Sequence, residues 1–246
     1  MTVGNQPGPL ITIDGLVKST LSPPLRVSRL AVAATDRMVL TGLSHEAAEI
    51  FVHLVTGAAL PDEGCILIDG LDTREIATDA DWLRSLDQFG LVSERAVLID
   101  ALTVEANLAL PLTVSINPVA EPVRAEVRRL AAEVGLDPSR LDAQTGTLTT
   151  EERVRVRLAR ALAPRPRLLL LEHPTRTLDR PEAAVAFGQA LVHASDSRQV
   201  GWLAISDDER FARATGGRRV RVDPARGTVR SARPQWFRRL FLRGDR

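Results

Sequence analysis

A carboxylate and an imidazole stand side by side at Glu172 and His173, directly after a run of four leucines at residues 168–171. An apolar run of this length predicts a strand buried on both faces of a parallel sheet. Open α/β sheets bind ligands at the carboxyl ends of such strands, so Glu172 lies where a ligand is expected. His173 can take up a proton near neutral pH and is therefore a candidate general base.

The elements that must position this pair can also be predicted. Thr149 and Glu152 have the spacing of a capping box, which starts a helix. Residues 153–162 continue the helix without a breaker, and Pro164 and Pro166 end it. The predicted order is therefore a capped helix, a buried strand and then the carboxylate.

This order resembles the centre of an ATP-binding cassette (ABC) ATPase, in which L-S-G-G-Q opens a helix ending in A-R-A-L. In that family L-L-L-L-D-E-P-T and a loop closing in L-D follow. The matching residues here are Arg153, Arg155, Ala159, Arg160, Ala161, Leu162, the four leucines, Pro174, Thr175, Leu178 and Asp179. Residues 101–108 likewise resemble the family's L-T-V-x-E-N segment. The resemblance covers about residues 10–230. It implies an α/β fold, a RecA-like P-loop NTPase core with an antiparallel β edge subdomain and a helical subdomain near residues 93–160.

The phosphate loop of the family, G-x-x-G-x-G-K-[ST], is strongly altered in this chain. In such a loop the backbone amides wrap the phosphates, the lysine reaches them and the hydroxyl holds Mg²⁺. Residues 42–49 read G-L-S-H-E-A-A-E, so Ala48 stands for the lysine and Glu49 for the hydroxyl, and Glu46 and Glu49 would repel a polyphosphate. The cofactor positions that the resemblance assigns here are Gly42, Ser44, His45, Ala47, Ala48 and Glu49. The alternative, a strand–turn–helix without a ligand, is the one we favour.

The remaining family positions for nucleotide, Mg²⁺ and catalysis are altered as well. They are Glu94 for a Mg²⁺-sensing glutamine, Glu172 for an aspartate that holds Mg²⁺ through water, His173 for the general-base glutamate, Asp207 for the switch histidine, Thr149, Thr150 and Glu151 in the signature, and Asp179 in the closing loop. Glu49, Glu94 and Glu172 are thus weak metal candidates. A structural role is the favoured alternative for His173. The resemblance implies ATP and Mg²⁺ as cofactors, and a chain that binds neither is the alternative.

The altered signature predicts a helix that is stable without a ligand. Thr149 can cap its first turn, and Glu151 and Glu152 lie near its positive pole. The chain would thereby supply its own anions where the family presents a bare helix end to a phosphate.

The composition predicts one soluble domain. A chain of 246 residues, 44% hydrophobic and 26% charged, can bury a single good core. No apolar run approaches the roughly 20 residues of a membrane span, and a net charge of +1 argues against a nucleic-acid partner. The single cysteine, Cys65, fits a reducing cytosol, and Lys18 is the only lysine.

We therefore predict a cytoplasmic subunit, peripheral on the inner face of the cell membrane, that partners a membrane permease subunit and forms a homodimer or a heterodimer with an ABC ATPase. We expect weak or no ATP hydrolysis, and action through dimer contacts and permease contacts around residues 94–112. One alternative is a pseudo-ATPase scaffold or regulator without a transport role. Another is an ATP-binding transporter ATPase with rearranged site contacts. The domain would occupy residues 1–230, and residues 231–246 form a basic amphipathic tail that either docks on a partner or an anionic membrane or folds against its own domain.

Overall fold

The computed structural model describes residues 8–231, which form two sheets covered by helices. The strands are β1 (Ile11–Lys18), β2 (Leu25–Val32), β3 (Arg37–Thr41), β4 (Glu63–Ile68), β5 (Leu71–Asp72), β6 (Phe89–Val92), β7 (Leu168–Glu172), β8 (Gly201–Ile205), β9 (Arg218–Asp223) and β10 (Thr228–Ser231). The smaller sheet is antiparallel and has the order β2-β1-β4-β5. It is the predicted β edge near the N-terminus.

The larger sheet has the order β10-β9-β3-β8-β7-β6. Its strands from β9 to β6 are parallel, and β10 closes it as an antiparallel hairpin partner of β9. The strand predicted at residues 168–171 lies in this sheet, together with the short apolar stretches at residues 38–40, 89–92 and 200–205. Because consecutive parallel strands need crossover connections, helices cover both of its faces.

The helices are α1 (His45–Val55), α2 (Asp79–Leu86), α3 (Val104–Ala109), α4 (Glu121–Glu133), α5 (Thr150–Leu162), α6 (Pro181–Arg198) and α7 (Glu209–Thr215), with short 3₁₀ turns at Thr73–Glu75, Pro138–Arg140 and Thr145–Thr147. The helix predicted from the capping box and residues 153–162 corresponds to α5, and the helical patterns of residues 46–55, 122–134 and 181–193 correspond to α1, α4 and α6. Helices α2, α3 and α7 were not predicted from the sequence. None of the helices between residues 8 and 231 combines the length and the apolar character that a membrane crossing requires.

The four leucines of β7 are buried on both faces of the sheet, as their uninterrupted run predicts. Leu168 and Leu170 pack with α1 and the smaller sheet, whereas Leu169 and Leu171 pack with α5 and α6. This two-sided burial fixes the direction of β7, because a strand covered on both faces has no solvent-facing side. Glu172 is thereby held at the end of the strand. The parallel sheet with its helices and the separate antiparallel sheet confirm the predicted fold class.

Helices α3, α4 and α5 pack together at one side of the larger sheet. Their shared apolar contacts include Val104, Leu108, Val127, Leu130 and Val154, all buried. This group coincides with the predicted helical subdomain near residues 93–160, although its standing as a separate unit remains a prediction. The predicted basic tail falls almost entirely on residues 232–246, which lie outside the described residues.

Candidate functional site

The carboxyl ends of β3, β8, β7 and β6 meet at one edge of the larger sheet. The residues that directly follow these strands are Gly42, Ser206 with Asp207, His173, and Ser93 with Glu94. The topology thus brings together the positions that the sequence assigned to the phosphate loop, the switch, the general base and the Mg²⁺ sensor. Parallel sheets bind ligands at this edge.

The segment at the phosphate-loop position is partly taken up by the first turn of α1. Strand β3 ends at Thr41 and α1 already begins at His45, so only three residues connect them. The Ser44 side chain caps the helix by accepting a hydrogen bond from the Ala47 amide at 3.2 Å. The Ala48 amide donates to the Ser44 carbonyl at 2.8 Å. Amides that a phosphate loop would present to a ligand are therefore already used within the helix.

Gly42 keeps the family's first glycine for a reason that needs no ligand. Its φ is +90°, and a Cβ at this position would lie 2.2 Å from the Val222 carbonyl oxygen of β9. Its amide donates a hydrogen bond of 2.9 Å to Asp207 Oδ1. A carboxylate of the chain itself therefore accepts from the Gly42 amide, at the position where the family has its switch histidine.

A guanidinium lies between two of the predicted metal-binding carboxylates. Arg95 Nη2 donates to Glu172 Oε2 at 2.5 Å, and Arg95 Nη1 lies 3.3 Å from Glu49 Oε1. Because arginine has no acceptor, His53 Nε2 accepts the third contact, at 2.5 Å from Nη1. The Ser93 hydroxyl also donates to Glu172 Oε2, at 2.9 Å. The Glu172 side chain is 3% exposed, so these donors replace its water.

The other oxygen of Glu172 faces a small polar cavity. Glu94, Arg157, Glu172 and His173 line it, and each has a buried side-chain nitrogen or oxygen with no partner among the described residues. The cavity measures about 10 Å³, which is the size of a single water molecule. Burial, with the nearby Arg153 second, lowers the pKa of Arg157. A nucleotide cannot enter a space of this size.

Glu94 and His173 are held by contacts within the chain. Glu94 Oε2 accepts from Arg176 Nη2 at 2.7 Å, in the loop after β7. His173 has a φ of +39°, and its amide donates to the Ile205 carbonyl at 2.9 Å. Its ring lies against that of His45, with centroids 5.9 Å apart. His173 therefore lies beside the phosphate-loop segment, where it packs on another imidazole.

The start of α5 has the predicted capping box. Thr149 Oγ1 accepts from the Glu152 amide at 3.2 Å, and Glu152 Oε2 accepts from the Thr149 amide at 2.8 Å. Glu152 also pairs with Arg140 at 2.7 Å. Burial opposes ionisation of Glu152, but the Thr149 amide and Arg140 outweigh it and lower the pKa of this carboxyl. Two amides at the start of α5 thus donate to the chain's own side chains.

The rest of the signature lies at the surface. Thr150 is exposed, and Glu151 pairs with Arg180 at 2.5 Å, next to the exposed Asp179. Lys18, the only lysine, pairs with Asp62 at 2.8 Å and does not reach the phosphate-loop segment.

These residues do not fit a magnesium–polyphosphate complex. The loop is closed by α1, no lysine approaches it, and Arg95 separates Glu49 from Glu172. Between residues 8 and 231 no group of three or more histidines, cysteines or acids has an arrangement suited to a metal ion. Glu94, the third metal candidate, is turned toward Arg176. The roles that the family resemblance assigned to these positions remain predictions.

The partners of the acidic side chains were missed by the sequence analysis. They are Ser93, Arg95, Arg140, Arg176 and Arg180. The available signal was the presence of arginines close in sequence to these acidic residues. Arg95 directly follows Glu94, Arg176 lies in the loop that ends at Asp179, and Arg180 follows that loop. That signal predicts that each acidic side chain has a positively charged partner, but it does not predict which arginine the partner is.

Comparison with known proteins places these features in context. A model of the family described as ABC transporter matches residues 31–176. The chain is 30% identical over 191 residues to the lipoprotein-releasing system ATP-binding protein LolD 2 of Caulobacter vibrioides, covering 78% of this chain and 82% of that protein. Its fold is similar to that of cbiO1 from Clostridium perfringens, part of the ABC transporter complex cbiONQ, with a TM-score of 0.76 at 17% identity and 96% of each chain covered. The ATP-binding cassette MJ0796 bound to ADP and Pi is similar too, with a TM-score of 0.73 at 20% identity, covering 91% of this chain and 99% of that one.

Proposed function

The chain belongs to the ATP-binding subunits of the ABC transporter family, and within that family we propose that it acts by docking on a membrane permease and not by hydrolysing ATP. It would lie on the cytoplasmic face of the membrane, bound to the permease. The observation that carries the proposal is a contrast between two surfaces of the same domain. The nucleotide edge is closed by internal contacts, whereas a neighbouring loop is held in place and presents apolar side chains to solvent.

That loop, residues 96–101, is here called the docking loop, and it is held at both ends by polar side chains. Asn107, which is fully buried, accepts from the Ile99 amide at 2.9 Å and donates to the Ile99 carbonyl at 3.0 Å. Arg160 donates to the carbonyls of Ala96 and Val97, each at 2.7 Å. These bonds satisfy backbone groups that a mobile loop would leave to water, so the loop is preorganised.

The docking loop exposes apolar surface despite being well ordered. Val97 is 70% exposed and Ile99 46% exposed, while Leu98 between them is buried in the core. An apolar patch on an ordered, polar-rimmed loop is typical of a protein-interaction site. The family resemblance implies that this region contacts a short helix of the membrane subunit. The apolar patch is suited to the apolar face of such a helix.

The contrast supports contact over catalysis. In a chain that had lost all function, we would expect the hydrogen bonds of the buried Asn107 to be lost along with the residues of the phosphate loop. Burying an amide is unfavourable unless all its hydrogen bonds are made, and Asn107 makes them to Ile99, Thr103 and Thr145. These hydrogen bonds hold a surface loop in place. A partner that binds at that surface explains why they are present.

Charge tests this proposal better than volume does. Val97→Asp and Ala101→Asp place a carboxylate on exposed positions of the docking loop, so the domain should stay folded by circular dichroism. Leu98→Asp is unsuitable because Leu98 is 2% exposed and the change would unfold the core. The matched control is Val114→Asp, since Val114 is fully exposed and lies outside the docking loop.

The readout is co-purification of an integral membrane protein, identified by mass spectrometry, from native membranes. Burying an unpaired carboxylate in an interface costs several kcal/mol, enough to dissociate a micromolar complex. We expect wild type and the Val114 variant to retain the membrane partner and the two docking-loop variants to lose it. A wild-type chain that brings down no membrane protein would refute docking and favour a scaffold without a transport role.

The dimer partner is better explained as a different chain than as a second copy. The family resemblance implies a dimer in which ATP is held between the two subunits. In that dimer the phosphate loop of one subunit faces the signature of the other. In this chain the first end carries the exposed Glu46 and the second carries Glu151. A copy-to-copy sandwich would oppose like charges. We expect the purified chain to run as a 26.8 kDa monomer in light scattering, with or without Mg-ATP, and a stable homodimer would contradict this.

A further inference from the structure

Arg95 is the one cation in contact with both Glu49 and Glu172 among the described residues. Glu172 is almost fully buried, and an ionised carboxylate in such a place is strongly unfavourable unless it is paired. Arginine does not lose its proton in proteins, so the positive charge that pairs with Glu172 is permanent. A divalent cation prefers the same carboxylate oxygens.

Three side chains of types that can bind a metal ion contact the guanidinium. Glu49 and His53 lie four residues apart on α1 and so occupy one face of that helix. Glu172 approaches from the end of β7, and Ser93 reaches it from the end of β6. Two carboxylates and one imidazole are ligands suited to Mn²⁺, and with Arg95 in place all three point at its nitrogen atoms instead.

We propose that Arg95 takes the place of a divalent cation, so that the guanidinium and a metal ion compete for Glu49, His53 and Glu172. Wild type then excludes divalent cations at this edge of the sheet, and removing the guanidinium opens a site for them. To close on a metal ion the Glu49 side chain must move inward, and its 37% exposure leaves it room to move. The inference rests on the proposed function, because a subunit that must bind Mg-ATP could not keep a guanidinium at this position.

The test compares Mn²⁺ binding by wild type and Arg95→Ala, using purified full-length chain without nucleotide. Free Mn²⁺ is counted by its electron paramagnetic resonance signal, and melting temperature is followed in parallel. We expect Arg95→Ala to melt below wild type, to bind one Mn²⁺ at least about tenfold more tightly than wild type, and to regain part of the lost melting temperature on binding. Wild type should show no Mn²⁺-dependent shift.

Three further variants separate this role from simple destabilisation. Arg95→Lys keeps a cation and should remain indifferent to Mn²⁺. Arg95→Ala with Glu172→Gln removes a ligand and should lose the Mn²⁺ response. Arg176→Ala breaks the exposed pair with Glu94 and should leave Mn²⁺ binding at the wild-type level. If Arg95→Ala does not fold, Arg95→Gln provides an uncharged side chain of closer size for the same measurement.

The inference is overturned if wild type binds Mn²⁺ as tightly as Arg95→Ala, or if the folded variant does not respond to Mn²⁺. The proposed function fails in a different way, through loss of co-purification by wild type. Either result can occur without the other, because the Mn²⁺ measurement uses the isolated chain and the docking measurement uses native membranes.

Discussion

Removing the side-chain cap at Thr149 should destabilise the whole domain. In Thr149→Ala the hydrogen bond from the Glu152 amide to the threonine hydroxyl is lost, while the bond from the Thr149 amide to Glu152 remains possible. Losing an N-cap costs about 0.5–2 kcal/mol in other proteins. Because half of the capping box survives, we expect about 1 kcal/mol. Helix α5 packs against β6, α3, α4 and α6, so this local loss should appear in global unfolding.

The effect is large enough to measure. For domains of 150–250 residues, 1 kcal/mol corresponds to a shift of about 2–4 °C in melting temperature. Urea unfolding followed by circular dichroism should show a lower midpoint with an unchanged slope. The matched control is Thr150→Ala, because Thr150 is the next residue, is exposed and has no side-chain hydrogen bond among those described. Alanine is the better helix former, so this control should be neutral or slightly stabilising.

Replacing residues 149–152 by the family's S-G-G-Q extends the same reasoning. Two glycines at the start of α5 cost about 1 kcal/mol each in helix propensity. Arg140 and Arg180 also lose carboxylate partners, although exposed pairs contribute little. The melting temperature should therefore fall further than in Thr149→Ala. If both variants melt at or above the wild-type temperature, or if Thr150→Ala loses as much as Thr149→Ala, the residues of the box do not stabilise the fold.

Three other outcomes are expected. The isolated chain should release no phosphate from Mg-ATP and show no binding heat in calorimetric titration, and Ala48→Lys alone should not restore turnover because the missing groups act as a unit; magnesium-dependent turnover abolished by Glu172→Gln would contradict this. Gly42→Ala should cost about 2 kcal/mol or more in unfolding free energy, whereas Gly70→Ala, with a similar positive φ but no atom within 4 Å, should cost clearly less; equal losses would mean that the Val222 contact is unimportant. The free energy of unfolding should decrease as the pH is lowered below 4.5, the ordinary pKa of glutamate, because the lowered pKa of Glu152 favours the folded chain only while this group is ionised. Glu152→Gln should make the free energy of unfolding less dependent on pH in this range, and an unchanged dependence would contradict the assignment.

The sequence predicted the fold where a single strong pattern dominated. The run at residues 168–171 has one favourable solution, a strand buried on both faces, and the structure has it at β7. The capping box likewise fixed the start of α5 to the residue. Helix α2 was missed because it is short, its mean character is polar and only Ser85 is buried in it. Helix α7 was missed because its seven residues are too few to establish a helical period.

The site could be predicted by position but not by contact. Strand order alone brought Gly42, Glu94, Glu172 and Asp207 to one edge, and the resemblance anticipated this. What replaced the ligand could not be predicted, because the contacts join distant residues: Arg95 is 46 positions from Glu49 and 77 from Glu172. An arginine side chain is long enough to select among several acids, and only the folded chain determines which one it meets.

The retention of Glu172 can be explained without a bound ligand. A buried ion pair can often be replaced by apolar residues of similar volume without loss of stability, whereas removing one partner is strongly destabilising. A chain selected only for folding could have exchanged Glu172 and Arg95 for apolar residues together, yet it keeps both, with Ser93 as a further donor to the carboxylate. Once Arg95 had entered the site, loss of either group alone would leave an unpaired charge. Substitution of Glu172 or Arg95 alone would therefore destabilise the fold, which keeps both residues in place. A carboxylate at a family ligand position indicates an active site only when the cation that faces it is known.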